Sequence, residues 1–262
     1  MDLHLSGKIA VVTGASKGIG LAVTRALAAE GVSVVAGARE VIGELAQLAV
    51  DFPVRPVRVD LSTPDGPARL VEEAVSAFGG LDILVNNVGA VRPRLDGFLS
   101  ITDDEWIETL TINFLSAVRT TRAALPHLLD RGAGAVVTVS SVNASLPDPL
   151  VLDYSAAKGA LANFSKGLSK EVGPSGVRVN TVSPGPVATA LWLGDDGIAA
   201  TVAGVVGGDP EAVAKKAVGT TPTGRFTTPE EVADLVLLLA SDRTANVTGA
   251  DFTVDGGLIT TL

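Results

Sequence analysis

Runs rich in apolar residues recur along this chain, spaced so that a helix fits between most successive pairs. They cover residues 9–13, 32–38, 54–59, 82–86, 135–140 and 177–183, with a short last run at 252–254. A strand with one face in water alternates apolar and polar residues. A strand covered on both faces has no need to, and unbroken runs mark a parallel sheet lying under helices. The intervening segments 18–30, 64–78, 103–129, 152–172 and 229–240 have helical length. The first of them sets Ile19, Ala22, Val23, Ala26 and Leu27 on one stripe. This alternation predicts an α/β fold, a doubly wound parallel sheet of about seven strands with helices on both faces.

Helix starts carry their own signals. Thr102-Asp-Asp-Glu105 has the capping-box pattern, and Thr228-Pro229-Glu-Glu231 adds proline at the first helical position. Thr63-Pro64 is a plainer version of the same signal. No repeat and no linker divides the chain, so 1–262 reads as one domain, long enough to bury roughly three quarters of its unfolded surface. Segment 184–223 is the irregular part, rich in Gly, Pro, Ala and Asp. It is expected to hold short helices over the C-terminal edge of the sheet, where open α/β sheets bind ligands, and so to act as a substrate lid.

Composition removes several chemistries. There is no cysteine, so a disulfide framework, a thiolate metal site and a thiol nucleophile are excluded. The two histidines, His4 and His127, stand far apart, and no metal site is expected. The net charge is −9 and the longest basic run is Lys215-Lys216, which speaks against a nucleic-acid partner. The apolar stretch 232–240 contains Asp234 and falls short of the ~18–20 residues needed to span a bilayer. The N-terminus lacks a basic segment followed by an apolar core, so the expectation is a soluble, cytoplasmic protein.

A glycine-rich turn follows the first apolar run: Thr13-Gly14-Ala-Ser16-Lys17-Gly18-Ile19-Gly20. Gly14 suits the tight turn, and Gly18 and Gly20 suit close approach of backbone to a pyrophosphate at the positive end of the helix. The second run ends in Ala38-Arg39-Glu40. A carboxylate here would hold the ribose 2′-hydroxyl of NAD, whereas an arginine pairs with the 2′-phosphate of NADP. Arg39 follows Gly20 by 19 positions, and Lys17 offers a second cation. NADP(H) is therefore preferred, and NAD(H) stays open because Glu40 lies one residue away. Asp60 and Leu61 end the third run and border the expected adenine site. Asn87, Val88 and Gly89, after Asn86, give another close backbone approach.

The only tyrosine, Tyr154, precedes Lys158 by four residues, one helical turn. A phenol titrates near pH 10, too high for a base at neutral pH, and an adjacent ammonium lowers that value. Such a phenol can give a proton to a ketone oxygen or take one from an alcohol. Ser141 ends the fifth run, 13 residues before Tyr154, where its hydroxyl can polarise a carbonyl. Taken singly, each of these residues also fits an ordinary solvated or strand-end position.

Taken together they resemble the short-chain dehydrogenase/reductase family. The resemblance rests on Thr13-Gly-x3-Gly-x-Gly20, Asn86-Asn-Val-Gly89, Asn113, Ser141, Tyr154-x3-Lys158, Asn180, Pro184-Gly185 with Thr189, and Asp255-Gly-Gly257. It implies a Rossmann fold and a catalytic set of Asn113, Ser141, Tyr154 and Lys158. In that set Lys158 also holds the nicotinamide ribose, and Asn113 resembles the residue that holds a water in the proton relay. Pro184, Gly185, Val187 and Thr189 resemble the segment that binds carboxamide and pyrophosphate. Val88 departs from the usual alanine, adding two methyls beside the cofactor. Family members that reduce C=C bonds space Tyr and Lys more widely. The expectation is thus an NADPH-dependent carbonyl reductase or alcohol dehydrogenase, with an NAD-preferring dehydrogenase or a non-catalytic nucleotide sensor as alternatives. Segments 91–99, 142–153 and 184–223, including Trp192, are expected to line a mostly apolar substrate pocket. Arg92 and Arg94 read as solvated loop cations rather than anion binders. A homotetramer, or a dimer, pairing helices 103–129 and 152–172 is implied by the resemblance.

Overall fold

Each apolar run becomes a strand of one sheet. In the computed structural model, which describes residues 1–261, the strands are β1 (Ile9–Thr13), β2 (Ser33–Ala38), β3 (Val54–Arg58), β4 (Ile83–Asn86), β5 (Gly134–Val139), β6 (Val177–Pro184) and β7 (Asp251–Val254). All neighbours pair in parallel, in the order β3-β2-β1-β4-β5-β6-β7. The central strands are apolar throughout because both faces are covered; Ala10, Val11 and Val12 of β1 have no exposed surface. The order reverses between β1 and β4, which opens a crevice at their C-terminal ends.

The helices are α1 (Gly18–Ala29), α2 (Gly43–Asp51), α3 (Gly66–Phe78), α4 (Asp103–Leu110), α5 (Ser116–Asp130), α6 (Leu152–Val172), α7 (Ala190–Leu193), α8 (Ile198–Val206), α9 (Pro210–Val218) and α10 (Pro229–Ala240). Two apolar clusters fill the layers on either side of the sheet. Val12, Leu27, Val34 and Val236 belong to one, and Val11, Val35, Leu70 and Leu128 to the other. Alternate residues of β1 and β2 thus point to opposite faces.

Both capping boxes form. The Thr102 hydroxyl accepts from Glu105 N and the Thr228 hydroxyl from Glu231 N, and each glutamate returns a bond to the cap's own N–H. Three expectations change. Helix α2 was not foreseen. Helix α3 begins at Gly66 rather than residue 64, although the Thr63 hydroxyl still accepts from Gly66 N at 3.1 Å. The expected helix 103–129 is interrupted by a π-helical turn at Thr111–Leu115. The cause is local. Asn113 Nδ2 donates to Thr109 O at 3.0 Å and so occupies the carbonyl that an α-helix would give to its own backbone N–H.

The sheet's two edges differ. Edge strand β3 carries Pro56 at its centre between Arg55 and Arg58. Edge strand β7 is four residues long, without proline. Segment 184–223 holds α7, α8 and α9, and both its ends are tied down. Ala188 N donates to Thr227 O at 2.8 Å, and Thr223 N donates to Gly256 O at 3.2 Å. Trp192 packs edge-on against Phe226 with ring centroids 5.8 Å apart. Among the described residues no single helix is long and apolar enough to cross a membrane.

Candidate active site

The C-terminal ends of the strands border one cleft of about 2190 Å³. That exceeds the ≈ 300–1,000 Å³ of a typical small-ligand pocket and leaves room for a dinucleotide beside a second molecule. Every residue expected to touch a cofactor lines it: Gly14, Ser16, Lys17, Gly18, Ile19, Gly20, Arg39, Asp60, Leu61, Asn87, Val88, Gly89, Tyr154, Lys158, Pro184, Gly185, Val187 and Thr189. Ser141 lines it too.

The glycine turn serves the protein's own packing first. A Cβ on Gly14 would lie 2.9 Å from Val88 Cα, and one on Gly20 would strike the carbonyl of Gly14. Gly14 and Gly18 have left-handed φ values of 68° and 56°. A Cβ on Gly18 would sit 3.1 Å from Thr189 Cγ2, so the turn meets segment 184–223 directly. Thr13 Oγ1 accepts from Asn87 N at 2.8 Å and Val88 N at 3.0 Å, and Asn87 Nδ2 donates to Thr13 O and Gly14 O. These bonds lock the turn onto the loop after β4. The N-terminus of α1 carries no side-chain cap and no acidic residue in its first turn, so it is free to receive an anion.

At the far end of the cleft lie three cations: Lys17, Arg39 and Arg58. Arg58 was not foreseen, because it sits inside the third apolar run; its register partner is Ala38, next to Arg39. None of the three makes a salt bridge among the described residues. Glu40 is exposed at the same rim. The Asp60 carboxylate accepts from Ser62 N at 2.9 Å and Ser62 Oγ at 2.7 Å. Those bonds, and to a lesser degree Arg39, hold its carboxyl below the ordinary value.

At the other end β5 delivers Ser141, and the first turns of α6 deliver Tyr154 and Lys158. Lys158 Nζ donates to Val139 O at 3.0 Å and lies 5.6 Å from the centre of the Tyr154 ring. Burial pushes the Lys158 ammonium down to about 8 and the Tyr154 phenol up to about 12, with interaction with Ser141 pulling the phenol back in part. The expected lowering of the phenol by Lys158 does not show in this structure, where burial sets the direction and only Ser141 opposes it. At neutral pH the phenol holds its proton, the state suited to protonating a ketone.

One expectation about this region, that for Arg94, is corrected, and the position of Asn113 is set by its own bonds. Asn113 does not line the cleft. It is buried behind the wall, where Oδ1 accepts from Ala90 N at 3.0 Å and Nδ2 donates to Ala90 O at 2.8 Å and to Thr109 O. One amide proton holds the loop after β4 and the other is spent on helix α4. Nor is Arg94 a solvated cation. Its side chain is 8% exposed, donating to Asp153 Oδ2 at 2.6 and 3.1 Å and to Glu105 Oε1 at 2.6 Å. Arg92 is exposed and pairs with Glu108. Asn180 is structural: it donates to Val247 O and accepts from Ala250 N.

Known proteins fit this geometry. A family model described as "Enoyl-(Acyl carrier protein) reductase" matches residues 14–259. A 3-oxoacyl-[acyl-carrier-protein] reductase of Thermotoga maritima is 32% identical over 98% of this chain and 100% of its own. A 3-alpha-(or 20-beta)-hydroxysteroid dehydrogenase of Mycobacterium tuberculosis is 33% identical over 99% and 92%. An L-sorbose reductase of Gluconobacter frateurii, solved with NADPH and L-sorbose, superimposes with a TM-score of 0.92 at 36% identity, covering both chains fully. With one family model along nearly its whole length and relatives matched end to end, the chain belongs to the short-chain dehydrogenase/reductase family, enzymes that act on CH–OH and carbonyl groups with NAD(P).

Proposed function

We propose that this protein is an NADPH-dependent carbonyl reductase, working in reverse as an alcohol dehydrogenase, with Tyr154 as general acid/base. The observation that carries the reading is the meeting of Ser141, Tyr154 and Lys158 in the cleft that the glycine turn borders. A nicotinamide held in this cleft would supply or accept the hydride. Ser141 orients the carbonyl oxygen, and Tyr154 gives it a proton. Lys158, held by Val139 O, keeps a positive charge beside the phenol and holds the nicotinamide ribose. Asn113 spends its amide on Ala90, so its part is to shape the loop and, in a relay, to act through its backbone. The turn residues Gly14 to Gly20 with Ser16 and Ile19 would hold the pyrophosphate. Lys17 and Arg39 would hold the 2′-phosphate, and Asp60 and Leu61 the adenine. Asn87, Val88 and Gly89, with Pro184, Gly185, Val187 and Thr189, would hold the nicotinamide end.

The substrate side of the cleft is mostly apolar, with Val91, Val142, Leu146, Leu150, Trp192 and Ile198 among its walls. This supports a medium-sized ketone or secondary alcohol, enclosed by segment 184–223 acting as a lid over one domain. The relative with a 3-oxoacyl substrate and the one with a steroid substrate are both consistent with it. A cytoplasmic location and a homotetramer or dimer belong to the same reading; cell fractionation and light scattering check them. The decisive experiment follows NADPH oxidation against a varied carbonyl library, with Tyr154→Phe as control. Turnover in the wild type, lost by 10²-fold or more in the variant, is expected. Undiminished turnover in Tyr154→Phe would sink the reading. NAD preference remains the second reading, because Glu40 shares the rim with Arg39.

A further inference from the structure

An amide stands in the apolar substrate wall where nothing yet described requires one. Asn143 lines the cleft between Val142 and Leu146, two residues past Ser141. Its backbone N–H donates to Ser141 Oγ at 3.2 Å, and Ser141 Oγ donates its proton back to Asn143 Oδ1 at 3.1 Å. Asn143 Nδ2 donates to Ser155 Oγ at 3.4 Å, and the same oxygen accepts from Asp148 N at 3.3 Å. Ser155 is buried one residue past Tyr154.

This arrangement sets a conflict. Ser141 has one proton. When it turns toward a carbonyl oxygen, Asn143 Oδ1 loses its donor inside a largely apolar wall. An acceptor left without a donor carries a desolvation cost comparable to or larger than the value of a hydrogen bond. A simple ketone brings no donor and leaves that cost in place. A ketone bearing a hydroxyl on the carbon next to the carbonyl removes it, because oxygens on adjacent carbons lie about a hydrogen-bond length apart. The carbonyl oxygen then takes the Ser141 and Tyr154 protons while the neighbouring hydroxyl donates to Asn143 Oδ1.

We propose that Asn143 is a specificity-determining residue that selects α-hydroxy ketones over simple ketones, through the oxygen that Ser141 vacates. The inference rests on the carbonyl-reductase reading. The overall change is α-hydroxy ketone plus NADPH plus H⁺ giving a vicinal diol and NADP⁺. Hydride adds to the carbonyl carbon and the Tyr154 proton to its oxygen; the selecting hydroxyl is unchanged. An apolar tail on the same substrate would lie along Leu146 and Leu150.

The test measures kcat/KM for 2-octanone, 3-hydroxy-2-octanone and 3-methoxy-2-octanone with NADPH. The methoxy ketone shares the electron withdrawal of the hydroxy ketone but has no proton to donate. The wild type is expected to favour the hydroxy ketone over both others by about tenfold or more. Asn143→Leu and Asn143→Ala, run in parallel with melting curves to establish folding, are expected to bring that ratio to about one. Asn143→Asp, which keeps an acceptor oxygen, is expected to retain it. A wild-type ratio near one with 2-octanone still reduced overturns the inference and leaves the reductase reading standing. A high ratio that survives in Asn143→Leu or Asn143→Ala also overturns it. Failure to reduce any of the three, or any ketone in the wider library, overturns the reductase reading and this inference with it.

Discussion

Lys158 shows how one residue carries opposing demands. Its ammonium is buried beside Tyr154 with Val139 O as its hydrogen-bond acceptor, and burial lowers its pKa from 10.5 to about 8. Charging it in the folded protein therefore costs stability, by an amount on the order of a few kcal/mol from the size of the shift. Between about pH 8 and 10.5 the unfolded chain binds the proton and the folded chain does not, so this cost fades as pH rises. Lys158→Met should therefore lose turnover yet melt at a higher temperature than the wild type below pH 8, with the gain shrinking toward pH 10.5. Calorimetry across that range checks both the sign and the window. Arg39 is exposed and has no salt-bridge partner among the described residues, so its removal should leave the fold untouched. Arg39→Ala should weaken NADPH by about tenfold, one charge-assisted contact, with a much smaller change for NADH. Fluorescence titration of both nucleotides measures it.

At the level of elements, what was legible in the sequence follows from how each element is stabilised. The central strands could be read because burial on both faces writes itself as apolar runs, whereas the half-exposed edge strands β3 and β7 carry polar residues. Helix α6 was located to its end residues at Leu152 and Val172. Helix α2 escaped notice for a physical reason: it buries only Leu45 and Leu48 and has no side-chain cap, so it leaves almost no pattern. Ser141, Tyr154, Lys158 and the glycine turn were found because strand ends and helical spacing set them locally. Arg94 could not be read in this way. Its partner Asp153 lies 59 residues along the chain, and only folding brings the two together. The pair joins the loop before α4 to the first turn of α6, and Thr109 Oγ1 adds a bond to the same Asp153 oxygen at 2.8 Å. Asp153 Oδ1 also accepts from Tyr154 N at 3.0 Å, so this buried cluster reaches into the first turn of the helix bearing Tyr154. With side chains 8% and 2% exposed, Arg94→Ala strands a buried carboxylate and should cost about 3–5 kcal/mol in denaturant unfolding. Replacing both partners by apolar residues should restore part of that loss. Desolvation opposes the bonds to Asp153, but its carboxyl is still held below the ordinary value. The pair's contribution is thus complete above the carboxylate range and is lost as acid protonates it.

Across the whole molecule, seven parallel strands bring every strand's C-terminal end to one side, and the cleft lies there because the strand order reverses at β1 and β4. Segment 184–223 is fastened at both ends and approaches the glycine turn at Gly18, so the two form one continuous wall of the cleft. Gly18→Val should press on Thr189 and strain a left-handed backbone, weakening nucleotide binding while leaving the sheet intact. Circular dichroism alongside nucleotide titration separates the two effects. The sheet's unlike edges bear on how copies of the molecule can meet. Pro56 and its flanking arginines deny β3 the regular ladder that an added strand would need. β7 carries no proline and relies on its short length of four residues. The two margins are thus blunted by different means, chemistry at β3 and brevity at β7.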